Sequence, residues 1–528
     1  AAAAAALSAH REPGPKEAAL PREYKAEELA AYWRARPWAV RRRCLEVACE
    51  LLPLAARLLL DWRSGALAPG DPTCRRRAEE AREALVRLGP AFIKVGQALS
   101  IRPDLLPAVV LKELQRLCDD CPPFPWAQAR SVLEAELGRD LRELFVDLDG
   151  ADADPTPVAA ASLGQVYRWR LRESGRLVAV KVQRPDMMYA VALDVHILRG
   201  IARLLRSAVR LATRSRVDHV ALLDAWARGT IAELDYEAEA RNQERFRQEL
   251  CRLFPGKVYV PSVERSLTRR HVLVTEWIDG PRLSDCAPDV VRALSPTGVE
   301  CFLAQLLEIG LFHSDPHPGN LLVSEGRLVL LDFGLVAEIE NLSLHRHATA
   351  IVNLINADYE ALLDDFVALG FLPQDIDRQQ VLPPLQRVLQ QGMLSGSDLR
   401  RRKKNFQAIS DDLNDIFFDM PFSVPEYFAL VTRALATLEG IALLGDPEFD
   451  IFWAAYPYAL GKVTAILGPR QAGGLLSAAA ARAAQQLPAP ERGRLWARGP
   501  SARAAAASED PSPVLGAAPA PSVAVAAA

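Results

Sequence analysis

The spacing of hydrophobic residues in the first third of the chain is typical of helices. Over residues 24–64, leucines, valines and tryptophans recur at mixed steps, many of them three or four residues long. The same spacing continues over residues 75–145, with breaks expected at Pro103, Pro107 and Pro122, because proline interrupts a helix. Both segments are therefore predicted to be helical.

One side of the first helical segment is basic. It carries Arg34, Arg36, Arg41, Arg42 and Arg43. Two interpretations are open for this side. We favour a helix that docks on its own protein and leaves the arginines in water; the alternative is a helix that rests on anionic lipid.

The hydrophobic period changes to two after a segment of linker composition, residues 147–157 (DLDGADADPTP). Residues 166–171 (VYRWRL) alternate apolar and polar side chains, and residues 177–182 (LVAVKV) form a second apolar run. Residues 173–176 between them have the composition of a turn. The two runs therefore predict a β-hairpin.

Helical spacing returns after this hairpin. Helices are expected over residues 188–250 and from residue 291 to about 470, with a strand at residues 271–277 (HVLVTEW). Two short apolar runs, residues 321–323 and 328–331, predict strands inside the second helical region. After about residue 485 the chain is rich in alanine and proline, which predicts a disordered tail.

Composition and charge narrow the class of protein. The chain has 528 residues, of which 50% are hydrophobic and 24% charged, a globular composition. Its length predicts about two to four domains or lobes. The net charge is -3, so we expect no nucleic-acid partner, because no overall positive field would attract phosphates. Oligomeric state cannot be read from the sequence.

The N-terminus, the apolar runs and the cysteines say little about function. The chain starts with six alanines and no methionine, so we expect a processed form or a fragment whose targeting peptide is missing. The longest apolar run, residues 51–60, is far shorter than the roughly 20 residues of a membrane span. The eight cysteines are too sparse for a disulfide scaffold, and we interpret them as buried or idle thiols.

The clearest chemical pattern is residues 313–320 (HSDPHPGN), followed by residues 331–334 (LDFG). Phosphoryl transfer from a nucleotide needs a carboxylate to orient the attacking oxygen, and oxygen ligands for Mg²⁺. An H-x-D-x-x-x-x-N segment supplies Asp315 and Asn320, and the D-F-G supplies Asp332. The two short strands between them predict a hairpin that brings Asn320 and Asp332 to the same end.

A lysine on an earlier strand completes this pattern. Residues 178–181 (VAVK) match the V-A-I-K pattern, in which the lysine, here Lys181, contacts the α- and β-phosphates. A helix carboxylate is expected to steady this lysine, and the candidates lie in residues 233–239 (ELDYEAE). Alone, Lys181 would be interpreted as a surface lysine; in order with the downstream residues it indicates a nucleotide site.

The loop before Lys181 departs from the pattern of protein kinases. They carry G-x-G-x-x-G there, whereas residues 158–166 (VAAASLGQV) contain a single glycine, Gly164. Alanine has a Cβ that restricts positive φ and narrows the approach of the backbone to a phosphate. We therefore expect a nucleotide to bind with altered geometry or preference.

Taken together, these segments resemble the UbiB-type (ADCK-like) atypical kinase family of ubiquinone biosynthesis. The family marker K-x-G-Q is present at residues 94–97, and its companion E-x-D at residues 233–235. Specific motifs carry the resemblance over about residues 85–340. It implies an α+β, two-lobed protein-kinase-like fold with a helical N-terminal extension that caps the cleft and a mostly helical C-lobe.

The implied organisation has five parts. They are a flexible lead (1–23), a helical extension that carries K-x-G-Q (24–157), an N-lobe (158–280), a C-lobe (281–470) and a mostly disordered tail (471–528).

The resemblance also implies roles for single residues. Asp315 is the catalytic-loop carboxylate, Lys181 and Lys94 act with it, and Asn320 and Asp332 hold Mg²⁺. The residues expected to contact the nucleotide are Ala159, Ala160, Ala161, Ser162, Gly164, Val166, Lys181, Glu276 and Ile278.

Paired side chains are expected beside the nucleotide. The resemblance pairs Lys181 with Glu239 and Lys94 with Glu233, and groups Gln97 with these structural ion pairs. Residues 275–278 are expected to be the strand that meets the adenine through its backbone.

The resemblance implies an ATP-dependent atypical kinase or ATPase with ATP or ADP and Mg²⁺ as cofactors. Its expected role is support of quinone or prenyl-lipid metabolism at a membrane or lipid-droplet surface. The alternatives are a nucleotide-switched lipid-binding chaperone without phosphotransfer and a true protein kinase. The basic, aromatic N-terminal region resembles plastid members, so we expect a chloroplast location, on plastoglobules or thylakoids, with the mitochondrion as the alternative.

Overall fold

Part of the chain is described by a computed structural model. The described residues are 20–64, 72–100, 108–118, 123–149, 155–161, 163–212, 219–314, 316–339, 344–355, 358–394, 426–449 and 451–467. Several predictions fall outside these ranges. They are the breaks at Pro103, Pro107 and Pro122, the contacts of Ser162 and Asp315, and the tail after residue 470.

The N-terminal part is helical, as predicted. Its helices are α1 (Ala26–Arg34), α2 (Pro37–Arg63), α3 (Pro72–Leu88), α4 (Pro90–Leu99), α5 (Ala108–Gln115), α6 (Trp126–Leu137) and α7 (Leu141–Leu144). Gly89 separates α3 from α4 with φ +99°, a conformation that favours glycine. Pro90 then starts α4, because its fixed φ suits the first helical position and its missing N–H has no helical partner there.

The first helices are anchored on a later helix, α8 (Met187–Ala212). Trp33 of α1 is 1% exposed, and its ring centroid lies 5.1 Å from that of Tyr189. Arg43 of α2 donates from Nε to Oδ1 of the buried Asp194 at 2.7 Å and also contacts the carbonyl of Leu88. Apolar packing and a buried charge pair thus both hold the N-terminal helices in place.

We expect Trp33→Ala to lower the free energy of unfolding by about 3 kcal/mol, because it leaves a cavity where a large ring is fully buried. Trp38→Ala is the matched control, since Trp38 is 77% exposed and its loss should cost less than about 0.5 kcal/mol. Urea unfolding of the three proteins followed by circular dichroism tests this. Equal midpoints for the two variants would contradict the anchoring of α1.

A four-stranded antiparallel sheet follows, in the order β1 (Ala159–Ala160), β2 (Gly164–Arg170), β3 (Leu177–Gln183) and β5 (Val272–Glu276). The predicted hairpin is confirmed as β2 and β3, and the predicted strand at 271–277 as β5. Val178, Val180 and Val182 of β3 are buried against α6 and α7. Because side chains alternate along a strand, Ala179 and Lys181 point to the opposite face.

Three helices lie between β3 and β5 in the sequence: α8, α9 (His219–Ala232) and α10 (Tyr236–Leu253). The side chain of Asp235 caps α10 by accepting the N–H of Ala238 at 3.0 Å. This cap fixes where α10 begins, one turn before Glu239.

The second half is mainly helical, as predicted. Its helices are α11 (Pro288–Ala304), α12 (Leu344–Ile355), α13 (Tyr359–Ala368), α14 (Arg378–Leu394), α15 (Glu426–Gly445) and α16 (Ile451–Leu467). Among the described residues, one helical stretch, Pro288–Ile309, is long and apolar enough to span a membrane. Because 61% of its apolar 18-residue window is buried, it fits a core helix of this half.

Short strands form two further small sheets in this half. One contains β4 (Val258–Tyr259), β8 (Arg327–Leu330) and β7 (Leu321–Ser324); the other contains β6 (Leu311–His313) and β9 (Val336–Glu338). The predicted strands near residues 321 and 328 are confirmed as the β7–β8 hairpin.

Candidate functional site

Lys181 lies between two carboxylates. From β3 its Nζ donates to Glu239 of α10 at 3.0 and 3.2 Å. The same Nζ is 3.5 Å from Oδ2 of Asp332, which directly follows the β7–β8 hairpin. The pair with Glu239 expected from the resemblance is therefore present, and residues far apart in the sequence meet at one point.

Asp332 has an unusual backbone. Its φ is +57°, a left-handed conformation in which aspartate is among the better-tolerated residues. Its Oδ1 accepts the N–H of Gly334 at 3.1 Å, which stabilises the turn. A Cβ at Gly334 would lie 3.2 Å from that oxygen, so a glycine leaves room for the carboxylate.

The β7–β8 hairpin brings Asn320 and Asp332 to the same end, as predicted. Leu321 pairs with Leu330, and the N–H of Leu331 donates to the carbonyl of Asn320 at 2.9 Å. Asn320 itself is buried. Asp315, expected in the same loop, lies outside the described residues, so its role stays a prediction.

Lys181, Glu239 and Asp332 shift one another's pKa values. Burial opposes the charge of Lys181, but the charges of Asp332 and Glu239 outweigh it and raise the lysine pKa. Burial raises the pKa of Glu239 to about 7, with Lys181 opposing and Asp332 adding to the rise. Burial also acts against the charge of Asp332, yet Lys181 and the Gly334 N–H lower its pKa to about 2. Asp332 is therefore the carboxylate that stays charged across the neutral range.

One face of α10 contacts both Lys181 and the D-F-G segment. Glu239, Asn242 and Phe246 are three and four residues apart, so they share a face. Glu239 binds Lys181, Nδ2 of Asn242 donates to the carbonyl of Phe333 at 3.2 Å, and the Phe246 ring lies 5.0 Å from that of Phe333. Phe333 is fully buried. The helix therefore ties Lys181 to the D-F-G segment.

Lys181, Glu239 and Asp332 line a cleft of about 590 Å³, a value that includes space open to solvent. Its other lining residues are Val166, Ala179, Gln243, Pro261, Leu273, Thr275, Glu276, Trp277, Ile278, Leu322 and Leu331. The cleft thus joins the charged end described above to a mostly apolar wall.

The expected contact of Glu276 needs a refinement. Its carboxylate accepts from the Tyr259 hydroxyl at 2.8 Å and from the N–H and hydroxyl of Ser262, and its own N–H donates to the Ser262 carbonyl. The Trp277 N–H is likewise used, by the carbonyl of Leu177. The N–H and Oε2 of Glu276 are therefore used within the protein, and a contact with adenine would fall to another of its polar groups, such as the backbone carbonyl oxygen.

The alanine-rich loop is held by an arginine that the sequence did not single out. Both Nε and one terminal nitrogen of Arg184 donate to the carbonyl of Ala161, at 3.2 and 3.1 Å. Ala159 and Ala160 form β1, opposite Val166 and Gln165. The loop is thus fixed at its strand and at its tip.

Gly164 is required by packing at the end of this loop. A Cβ there would lie 2.6 Å from the carbonyl of Val182 and 2.7 Å from the hydroxyl of Tyr236. The position therefore excludes larger residues even without a ligand. Whether it also contacts a nucleotide stays a prediction.

The K-x-G-Q helix, α4, reaches the same region. Lys94 contacts the carboxylate of Glu233, as the resemblance implies, and the charge of Lys94 contributes to the low pKa of Asp332. The grouping of Gln97 with the ion pairs is wrong: Gln97 is neutral, and its Nε2 donates to the carbonyl of Leu117 at 3.0 Å. Gln97 therefore fastens α4 to the segment that follows α5.

The donor set suits a magnesium ion bound together with a nucleotide. Among the described residues, no group of three or more histidine, cysteine or acidic side chains is arranged to hold a metal. Mg²⁺ needs fewer protein ligands than that, because it is usually bound through one or two carboxylates, water and substrate phosphates. Asp332 and Asn320 supply a carboxylate and an amide oxygen at one end of the hairpin.

Comparisons with known proteins agree with the motifs. A family profile, the ABC1 atypical kinase-like domain, matches residues 116–366. Protein slr1919 of Synechocystis sp. is 41% identical over 452 residues, which cover 84% of this chain and 76% of that protein. The chain belongs to the ABC1 atypical kinase-like family. The predicted UbiB-type membership is confirmed, and the chain contains a kinase-like domain whose helices and small sheets are compatible with the α+β class; the bounds of the lobes stay predictions.

Two longer relatives extend this comparison. Protein sll0005 of Synechocystis sp. is 41% identical over 443 residues, 83% of this chain and 62% of that protein. ACTIVITY OF BC1 COMPLEX KINASE 3, chloroplastic, of Arabidopsis thaliana is 39% identical over 444 residues, 82% of this chain and 60% of that protein. This ABC1 kinase-like chain therefore spans about three fifths of the length of these two relatives.

Proposed function

We propose that this chain binds an adenine nucleotide, ATP or ADP, with Mg²⁺ in the cleft and hydrolyses or transfers the terminal phosphoryl group. The observation that supports this most is the position of Lys181. Its Nζ lies 3.0 Å from Glu239 and 3.5 Å from Asp332 at the polar end of an otherwise apolar cleft. Such a site offers a cation for phosphates and an apolar wall for a base.

Each residue has a distinct task in this proposal. Lys181 binds the α- and β-phosphates, and Glu239 keeps its side chain extended into the cleft. The carbonyl of Glu276 and the backbone at Ile278 contact the adenine. Asn320 and Asp332 hold the magnesium ion, which supplies charge neutralisation of the phosphates when bound.

Proton and phosphoryl chemistry would fall to the loop before Asn320. We propose that Asp315 orients the attacking oxygen, of water or of an acceptor hydroxyl. Lys94 acts from α4, because its contact with Glu233 brings this helix next to the charged group around Lys181. The alanine-rich loop, held by Arg184, covers the phosphates.

The direct test is turnover of ATP by the purified chain. Release of ADP and phosphate is measured with Mg²⁺ and with EDTA, in the presence and absence of a protein substrate. Magnesium-dependent ADP formation supports the proposal. Phosphate incorporated into the added protein would assign protein kinase activity, and binding of nucleotide without turnover would favour a nucleotide-switched chaperone.

The biological part of the proposal rests on family likeness. We propose a plastid location, because relatives such as ACTIVITY OF BC1 COMPLEX KINASE 3 are named chloroplastic. We further propose that the chain supports quinone or prenyl-lipid metabolism at a membrane or lipid-droplet surface. Analysis of lipids that co-purify with the protein tests this, and recovery of no quinone or prenyl lipid above a mock purification would count against it.

We expect Ala160→Gly to change the ratio of ATP to ADP affinity by several-fold. Ala160 lies in β1 of the covering loop, and removal of its Cβ lets the backbone reach conformations closed to alanine. Ala160→Ser retains a Cβ and serves as the control, with a ratio close to the original. Titration of both nucleotides by calorimetry measures the ratio; an unchanged ratio in Ala160→Gly would contradict a role for this loop in nucleotide choice.

A further inference from the structure

Helix α2 exposes an unusual number of large hydrophobic side chains. Trp38, Leu45, Leu52 and Leu59 are between 54% and 77% exposed, and Leu60 and Trp62 are 66% and 69% exposed. Soluble surfaces expose single hydrophobic residues, but a continuous group of this kind marks an interaction site. We call these six residues the α2 face.

Four residues of the α2 face form a long stripe. Trp38, Leu45, Leu52 and Leu59 are spaced by seven residues, close to two helical turns, so they lie along one side of the helix. From Trp38 to Leu59 this side is about 32 Å long at 1.5 Å per residue. The opposite side is already used, because Val47 packs with Leu88 of α3 and Phe92 of α4.

The charges around the stripe have one sign. The three acidic residues of α2 lie on its other sides and bind arginines: Glu46 with Arg42 and Arg43, Glu50 with Arg87, and Asp61 with Arg77. At 100° per residue they fall 80° or more from Trp38 around the helix. The stripe therefore contains no acidic side chain.

Exposed arginines flank the same stripe. Arg41 and Arg42 are near its N-terminal end and Arg63 is at its C-terminal end, and all three are exposed. Arg41 lies 5.3 Å from the ring centroid of Trp38. Trp38 at one end, leucines along the stripe and arginines alongside form the composition of a helix that lies in the interface of a membrane.

We propose that the α2 face docks on an anionic lipid surface, with α2 parallel to it. A second copy of this chain would bring another set of arginines and no acidic residue, so the charges would stay unbalanced; lipid phosphates or sulfonates balance them. The proposal gives the lipid-surface part of the proposed function a contact surface, and does not depend on nucleotide turnover.

Few contacts separate the helix that carries the α2 face from the helix that carries Lys94. Arg43, on the inner side of α2, binds Asp194 of α8 and contacts the carbonyl of Leu88. Leu88 is the last residue of α3, and α4 with Lys94 begins two residues later. A lipid surface under α2 would thus lie next to the helices that cap the cleft.

Flotation with vesicles tests the proposal. The full chain is mixed with vesicles of phosphatidylcholine alone or of phosphatidylcholine with phosphatidylglycerol, and the floated fraction is measured. We expect flotation with the phosphatidylglycerol vesicles, reduced by high salt, and at least tenfold weaker association for Leu45→Glu/Leu52→Glu. Leu444→Glu is the matched control, since Leu444 is 58% exposed but lies on α15, and it should float like the original chain.

Two further measurements keep the outcomes separate. Circular dichroism and ATP turnover without lipid should be the same for Leu45→Glu/Leu52→Glu and the original chain, so that loss of flotation reports docking and not misfolding or a failed nucleotide site. Failure of the original chain to float, or equal flotation of both variants, would overturn the proposal. A dimer seen by light scattering that Leu45→Glu/Leu52→Glu abolishes, without vesicle binding, would assign the face to a second copy and overturn it too.

Discussion

Replacing Lys181 by methionine is expected to lower Mg-nucleotide turnover by at least tenfold, a loss of about 1.4 kcal/mol in transition-state stabilisation. Methionine keeps the length and apolar stem of the side chain but removes the charge that the phosphates would meet. It also removes the ammonium group that lies 3.0 Å from Glu239 and 3.5 Å from Asp332 in the original chain. Without the ammonium the pKa of Glu239 rises further, so Glu239 becomes protonated at neutral pH and no longer positions a cation in the cleft.

Steady-state release of phosphate from ATP measures this effect. Lys257→Met is the matched control, because Lys257 is exposed and distant in sequence from the motifs, and its turnover should equal that of the original chain. Thermal unfolding with and without nucleotide is the second readout: the stabilisation by Mg-ATP should disappear in Lys181→Met. Turnover at the original rate in Lys181→Met would remove the central residue of the proposed site.

Asp332→Asn is expected to weaken magnesium-dependent nucleotide binding by at least tenfold. The pKa of Asp332 is lowered to about 2, so the residue contributes a full negative charge at neutral pH, which asparagine lacks. Asparagine tolerates the left-handed conformation that Asp332 adopts at φ +57°, so the backbone turn should persist. The change therefore removes charge with little change of shape.

Titration of a fluorescent ATP analogue at several magnesium concentrations measures this second effect. The magnesium requirement should rise sharply in Asp332→Asn and stay unchanged in the control Asp289→Asn, whose side chain is 95% exposed. In EDTA the original chain and Asp332→Asn should differ far less. Identical magnesium curves for the two would show that Asp332 is not a metal ligand.

Much of this site could be predicted from the sequence because its parts follow local patterns. Residues 177–182 are predicted to be a strand, and because side chains alternate along a strand, Lys181 of β3 lies on the face opposite Val180 and Val182. The two short apolar runs after Asn320 predict the β7–β8 hairpin, which brings Asn320 towards Asp332. The partner of Lys181 came from the resemblance and not from spacing.

Other parts depend on contacts between distant segments, which leave no periodic signal. Strands β4, β6 and β9 have only two or three residues each, and they exist because they pair with strands far along the chain. Arg184 holds the alanine-rich loop through the carbonyl of Ala161, and Gln97 holds the segment after α5 through the carbonyl of Leu117. Any residue offers a carbonyl, so such partners cannot be recognised by residue type.

The single face of α10 has a consequence for how this site changes state. Glu239, Asn242 and Phe246 lie within two turns of one helical rod, so the same element holds the contact with Lys181 and the contacts with Phe333. A sliding or tilting of this rod would disengage the lysine and the aromatic ring in a single event. Movement of α10 is therefore one way in which the charged end of the cleft and the D-F-G segment would separate together.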